Sequence, residues 1–254
     1  MSAHAIHGAA SKEMHQEVAH QFEDLEQQND SYVVGMWTFL VTEIMFFGAL
    51  FLAFATYRTL YTPAFVEAHQ KLSFTLGTIN TTILLFSSLF MALAVHAAQI
   101  GKRGSVIGWI VLTLFCATAF LGIKSVEYYN KYQENLIPGV HYAFEHEKGP
   151  LARTEIAPSV GVPDMGGMSA GDTSGVIRHA DKTELFFALY FCMTGLHAIH
   201  IIIGMLCMVV IVGLLLIKHP AVNDYMPIEM FGLYWHFVDI VWIFLFPLLY
   251  LVGH

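Results

Sequence analysis

Five apolar stretches, at 33–57, 76–100, 105–128, 184–217 and 231–252, each reach the roughly 20 residues that a helix needs to cross about 30 Å of hydrocarbon. In lipid every backbone polar group has to be satisfied within the protein, so runs of this length and composition are helices. The expected fold is an all-α integral membrane protein, a bundle of five transmembrane helices with a long loop between the third and fourth. Composition agrees: hydrophobic residues make up 56% of 254 and charged residues 13%, with a mean hydropathy of +0.57, whereas soluble domains carry about 25% charged residues. The fourth stretch is longer than a bilayer requires and should tilt or protrude.

The polar parts of the chain are few. Residues 1–32 are rich in His, Glu, Gln and Asp and lack an apolar core, which makes them a polar arm rather than a signal peptide. His4, His7, His15 and His20 are irregularly spaced there, as in a solvated segment and not a metal tract. The net charge of −8 sits mostly in this arm and in one long connection, so it describes solvated segments and does not point to nucleic acid. Cys116, Cys192 and Cys207 all fall within apolar stretches and read as small buried hydrophobes, not as a disulfide or metal set.

Lysine and arginine placement orients the bundle. With the N-terminus cytoplasmic, the inner segments hold Lys12, Lys102, Arg103 and Lys218, against Arg58 and Lys71 outside. Lys124 argues the other way unless its ammonium snorkels to the interface. The connection at 130–181 contains Pro138, Pro150, Pro158 and Pro163 with a Gly/Ser/Met segment, which is loop composition. A loop this long is expected to lie over a partner on the outer surface, the alternative being an insertion without contacts.

Ionisable residues inside the stretches are the candidate site residues, because each costs roughly 2.5–3.5 kcal/mol on insertion scales and normally faces protein or trapped water. Glu43 lies near the middle of the first stretch, either hydrogen-bonded to a neighbouring helix or handling protons or lipid. His197 and His200 share a helical face with Gly204 one turn on. Two histidines so spaced could ligate a metal or haem, but ligands on a facing helix would be required, and the small-residue face reads as close helix packing. His236 and Asp239 share a face in the last stretch, with Trp235 and Trp242 not far round, as a polar stripe turned toward another helix. Glu127, beside Tyr128 and Tyr129, is a headgroup contact, an interhelix partner or a solvated helix end.

Several of these segments resemble subunit III of the haem-copper respiratory oxidases. YWHFVDIVW at 234–242 is similar to that family's C-terminal signature, WTFLVTEIMFF at 37–47 to its W-x-F-L-x-x-E-x-x-F-F pattern, and GLHAIHIIIG at 195–204 to its paired-histidine motif. The segment 76–88, with Asn80, resembles its L-N-T-x-x-L-L-x-S-S helix, and 122–129 its Q-x-x-E-Y-Y helix end, with Lys124 where the family often has Gln. The matches follow the family's order through all five stretches.

The resemblance implies a subunit without haem or copper of its own, those centres belonging to partner subunits. It implies packing against oxidase subunit I, association with subunit II and small membrane subunits, bound phospholipid, and support of proton uptake in aerobic respiration. Glu43 matches the family's carbodiimide-reactive acid beside lipid; His197, His200, Glu127 and Lys218 are the other candidates for lipid- or proton-related roles. His236, Asp239, Trp235, Trp242 and Asn80 are candidates for polar helix packing. Lys218 is the nearest basic residue to a position where the family has arginine. The first two helices of the seven-helix mitochondrial form have no counterpart, which corresponds to the five-helix bacterial form in an inner membrane. A bacterial cytochrome c oxidase is the expectation. The alternatives are a quinol oxidase subunit III, a nitric oxide reductase accessory protein or, from another class, a stand-alone transporter or membrane cytochrome.

Overall fold

The computed structural model describes residues 22–134, 136–138, 171–219, 222 and 225–251, with side chains from residue 182 onward in the fifth helix. The four N-terminal histidines and residues 139–170 of the long connection lie outside the described residues.

Six α-helices account for most of the described chain: α1 (Leu25–Leu60), α2 (Thr62–His69), α3 (Phe74–Gln99), α4 (Arg103–Gln133), α5 (Gly171–Leu216) and α6 (Met226–Phe246), with a closing π-helical turn at Pro247–Leu251. All but α2 contain a segment long and apolar enough to cross a membrane. The protein is a five-span helical bundle.

Local chemistry sets the boundaries. Asp24 caps α1 by accepting a hydrogen bond from the Gln27 amide at 2.7 Å, so the helix begins eight residues before the apolar stretch, inside the polar arm. Pro63 occupies the first turn of α2, where its missing N–H costs nothing. Gly101, with φ of +71°, makes the left-handed turn that lets α4 fold straight back on α3. At 46 residues, α5 is about 69 Å long at ~1.5 Å per residue, well beyond the bilayer, as the length of its apolar stretch implies. Its extra turns begin at Gly171, within the segment that proline and glycine content marks as loop.

α3 and α4 form the most extensive helix pair, and α6 packs antiparallel on α3 while also touching α1 and α5. More than half of the membrane window of α6 is buried, 56%, against 17% for α1, so α6 is the spine and α1 the outermost helix. α2 was not anticipated, because its eight residues are too short for a periodic signal. It lies against α5 through Ala64, Phe65 and Ala68, with Phe65 edge-on to both Phe54 of α1 and Phe186 of α5.

Candidate functional site

Two polar centres lie within the apolar bundle. The first is sealed. Lys124 and Glu127, one turn apart on α4, are 3% and 2% exposed and form an ion pair at 2.9 Å. The Lys124 ammonium also donates to Tyr190 of α5 at 3.2 Å and to Tyr250 of the closing turn at 3.1 Å. Both phenols donate onward to Glu127 Oε1, at 2.9 and 2.6 Å. Every donor and acceptor is used, which is the condition under which a buried ion pair is tolerated. The Trp242 ring lies under the ammonium at 5.1 Å, within cation–π range.

This corrects the expectation for Lys124 and selects one of the readings given for Glu127. Lys124 does not snorkel, because its stem is directed into the bundle where Glu127 and two phenols neutralise and saturate it. Glu127 is neither a solvated helix end nor a headgroup contact; it is the interhelix partner. Tyr190 and Tyr250 were not singled out from the sequence, since an isolated tyrosine in an apolar run carries no signal of a partner 63 or 123 residues away.

Between the two centres runs a ladder joining α3 to α6. Trp242 Nε1–H donates to Thr81 and Trp235 Nε1–H to Ser87, at 3.1 and 3.0 Å, while Ser88 Oγ meets His236 Nδ1 at 2.7 Å. The hydroxyl-rich segment of α3 thus supplies partners for the aromatic and histidine groups of α6. Asp239 and Asn80 are buried beside this ladder; neither makes a close side-chain hydrogen bond among the described residues, and Asp239 lies by the Ser88 hydroxyl. His197 shares that condition; its ring is enclosed by Phe120 and Trp242, with centroids 5.7 and 5.2 Å away.

The second centre is half open. Glu43 of α1 and His200 of α5, 157 residues apart in sequence, meet at 3.2 Å with side chains 20% and 16% exposed. His200 Nδ1 lies 2.8 Å from the Leu196 carbonyl, which can only accept, so Nδ1 carries a proton. Nε2 then either accepts a hydrogen bond from a neutral Glu43 or donates one to its carboxylate. The Phe47 ring stands edge-on to the imidazole at 5.3 Å, and Tyr234 of α6 donates to the His200 carbonyl at 2.8 Å. Close approach of α5 to α6 holds this geometry, since a Cβ on Gly204 would lie 2.7 Å from the Trp235 ring.

The structure therefore separates the two histidines of α5: His200 joins Glu43, and His197 packs in the core. Lys218 is not brought to either centre; it is an exposed residue after the end of α5 with φ of +55°, about 27 Å along the helix from His200. Among the described residues no three His, Cys, Asp or Glu side chains gather as a metal-binding group.

Comparison with known proteins shows the family. The sequence model of the family described as Cytochrome c oxidase subunit III matches residues 5–134 and 179–254, most of the chain. The chain belongs to the cytochrome c oxidase subunit III family. Subunit 3 of the cytochrome bo(3) ubiquinol oxidase of Pseudomonas aeruginosa is 24% identical over 93% of this chain and 92% of its own length. Quinol oxidase subunit 3 of Bacillus spizizenii is 29% identical over 87% of each. Cytochrome c oxidase subunit 3 of the lancelet Branchiostoma lanceolatum is 28% identical over 86% of this chain and 68% of its own. Family membership makes the protein a multi-pass membrane subunit III of a haem-copper oxidase, associated with other chains of that enzyme.

Proposed function

We propose that this subunit is a redox-inactive support of a bacterial terminal oxidase, with haem and copper confined to partner chains, subunit I among them. It holds phospholipid at the Glu43–His200 centre and sustains proton uptake during turnover. The observation that carries this is the half-open carboxyl–imidazole pair. A partly exposed carboxyl–imidazole pair between α1 and α5 suits a headgroup or water brought to membrane depth, and it does not suit a sealed structural contact. Asp239, His197 and the Lys124–Glu127 pair lie inside and serve packing. The protein resides in a bacterial inner membrane with its N-terminus cytoplasmic, in keeping with the lysine and arginine distribution.

Purification through a tag on this chain tests the reading. The expected product is a haem-bearing, oxygen-reducing complex in which Glu43→Gln leaves the initial rate intact but shortens the lifetime in turnover or lowers the proton yield per electron. Immediate loss of oxygen reduction in an assembled Glu43→Gln complex would overturn it, as would visible absorption from the isolated chain.

Cytochrome c is the proposed donor. A second reading, quinol, is favoured by the bacterial quinol oxidase subunits, which match this chain over nearly equal lengths. Oxidation of reduced cytochrome c by the purified complex, set against oxidation of ubiquinol, distinguishes the two.

A further inference from the structure

The surface of α6 that the bundle leaves uncovered is polar at one point. α1 covers one side of this helix, with Phe39 against Tyr234 and Phe47 against Phe237 at ring centroid distances of 6.1 and 6.3 Å. α3 covers the other side through the Ser88–His236 and Ser87–Trp235 hydrogen bonds and through Val95, which meets Gly232. α1 and α3 make at most marginal contact with each other, so a groove runs between them with α6 as its floor. Ile240, Ile243 and Phe244 are exposed along that floor, and His236 is half-buried at its α3 edge.

His236 is the eleventh residue of a 25-residue span, close to mid-bilayer. Its Nδ1 is satisfied by Ser88. A neutral imidazole has one donor and one acceptor nitrogen, so Nε2 also requires a partner, and among the described residues it has none and is not sealed in the interior. Acyl chains offer no hydrogen bond at that depth, and an unmet polar atom in hydrocarbon is costly. A facing helix with a hydroxyl, amide or carboxyl side chain at mid-membrane meets the requirement, while its apolar residues cover Ile240 and Phe244.

We propose that the α1–α3 groove seats a transmembrane helix of another oxidase chain, which hydrogen-bonds to His236 Nε2. The inference rests on the reading of this protein as an oxidase subunit and names the surface through which it joins the complex.

Photocrosslinking in the assembled complex tests it, with p-benzoylphenylalanine at Ile240 and, for reference, at Phe115, which is exposed on α4 away from the groove. The expected result is an adduct from Ile240 to an apolar span of a different polypeptide, in clear excess over Phe115. Adducts only to phospholipid, only to a second copy of this chain, or in equal protein yield from both positions would overturn the proposal. In the chain without the photoreactive residue, His236→Leu should lower recovery of the complex roughly three- to tenfold, the size of one interhelical hydrogen bond in a membrane, and His236→Gln should restore it. Equal recovery with Leu would also overturn it. A haem-bearing complex with lipid-only adducts removes this inference and leaves the functional reading standing. A tag that recovers no haem-bearing chain removes both.

Discussion

The sealed cluster around Lys124 and the half-open pair around Glu43 use the same chemistry, an acid and a base in a membrane interior, to opposite ends. At Lys124 the charges are saturated by two phenols and enclosed by Trp242. At Glu43 a single longer contact of 3.2 Å joins two partly exposed side chains. A saturated ion pair has no capacity left for a ligand, and its worth lies in fixing α4, α5 and the closing turn together. An unsaturated pair at the lipid boundary is inexpensive to open and has lone pairs to spare. What separates these two centres is how fully their hydrogen bonds are met, more than depth or charge.

Removing one member of each pair is the strongest way to break this contrast. Glu127→Leu strands a buried ammonium and should cost ~3–5 kcal/mol, seen as loss of assembled chain or a large drop in the thermal midpoint of the complex. Pairing it with Lys124→Met should recover most of that loss. A Glu127→Leu complex as stable as wild type would show that the cluster is not a structural fixture. Tyr250→Phe removes one donor to Glu127 and one acceptor for Lys124 and should cost about 1.5–3 kcal/mol, read by the same melt.

Gly204→Ala sharpens the other side. Its methyl carbon meets the Trp235 ring and should cost about 1–3 kcal/mol through overpacking; by moving α5 off α6 it should also loosen His200 from Glu43, read as faster carbodiimide labelling of Glu43. The smallest stability effect belongs to Glu43→Gln, under ~1 kcal/mol, with its consequence in the turnover lifetime. A Glu43→Gln melt that matches the Glu127→Leu melt would erase the distinction between the centres.

The five spans were legible because hydrocarbon thickness sets a length that composition can meet. The pairing of Trp235, Trp242 and His236 with another helix was legible as a stripe, but the partner was not: only the fold shows that Thr81, Ser87 and Ser88 of α3 supply it. Lys124 and Glu127 were readable as neighbours on one helix face, yet their placement at a helix end suggested solvent, and burial depends on Tyr190 and Tyr250 arriving from distant segments. The His197 and His200 motif looked like one unit. A rotation of about 60° between i and i+3 positions is enough to point one ring at α1 and the other into the core. Asp239 was expected to face a neighbouring helix with His236, and it does lie by Ser88 of α3, though without a close hydrogen bond.

The central position of α6 bears on how the protein is made. The helix that reaches α1, α3 and α5 is the last of the five spans to leave the ribosome, so the α3–α4 hairpin must wait in the membrane with the Thr81 hydroxyl bonded only to its own helix and Ser87 without its indole donor until Trp242 and Trp235 arrive. During that interval the nascent chain displays polar hydroxyls and an open seam to the insertion machinery and to membrane proteases. Closure of the core therefore waits on the synthesis of α6, and a chain halted before Met226 would keep this seam open however well its first four spans had inserted.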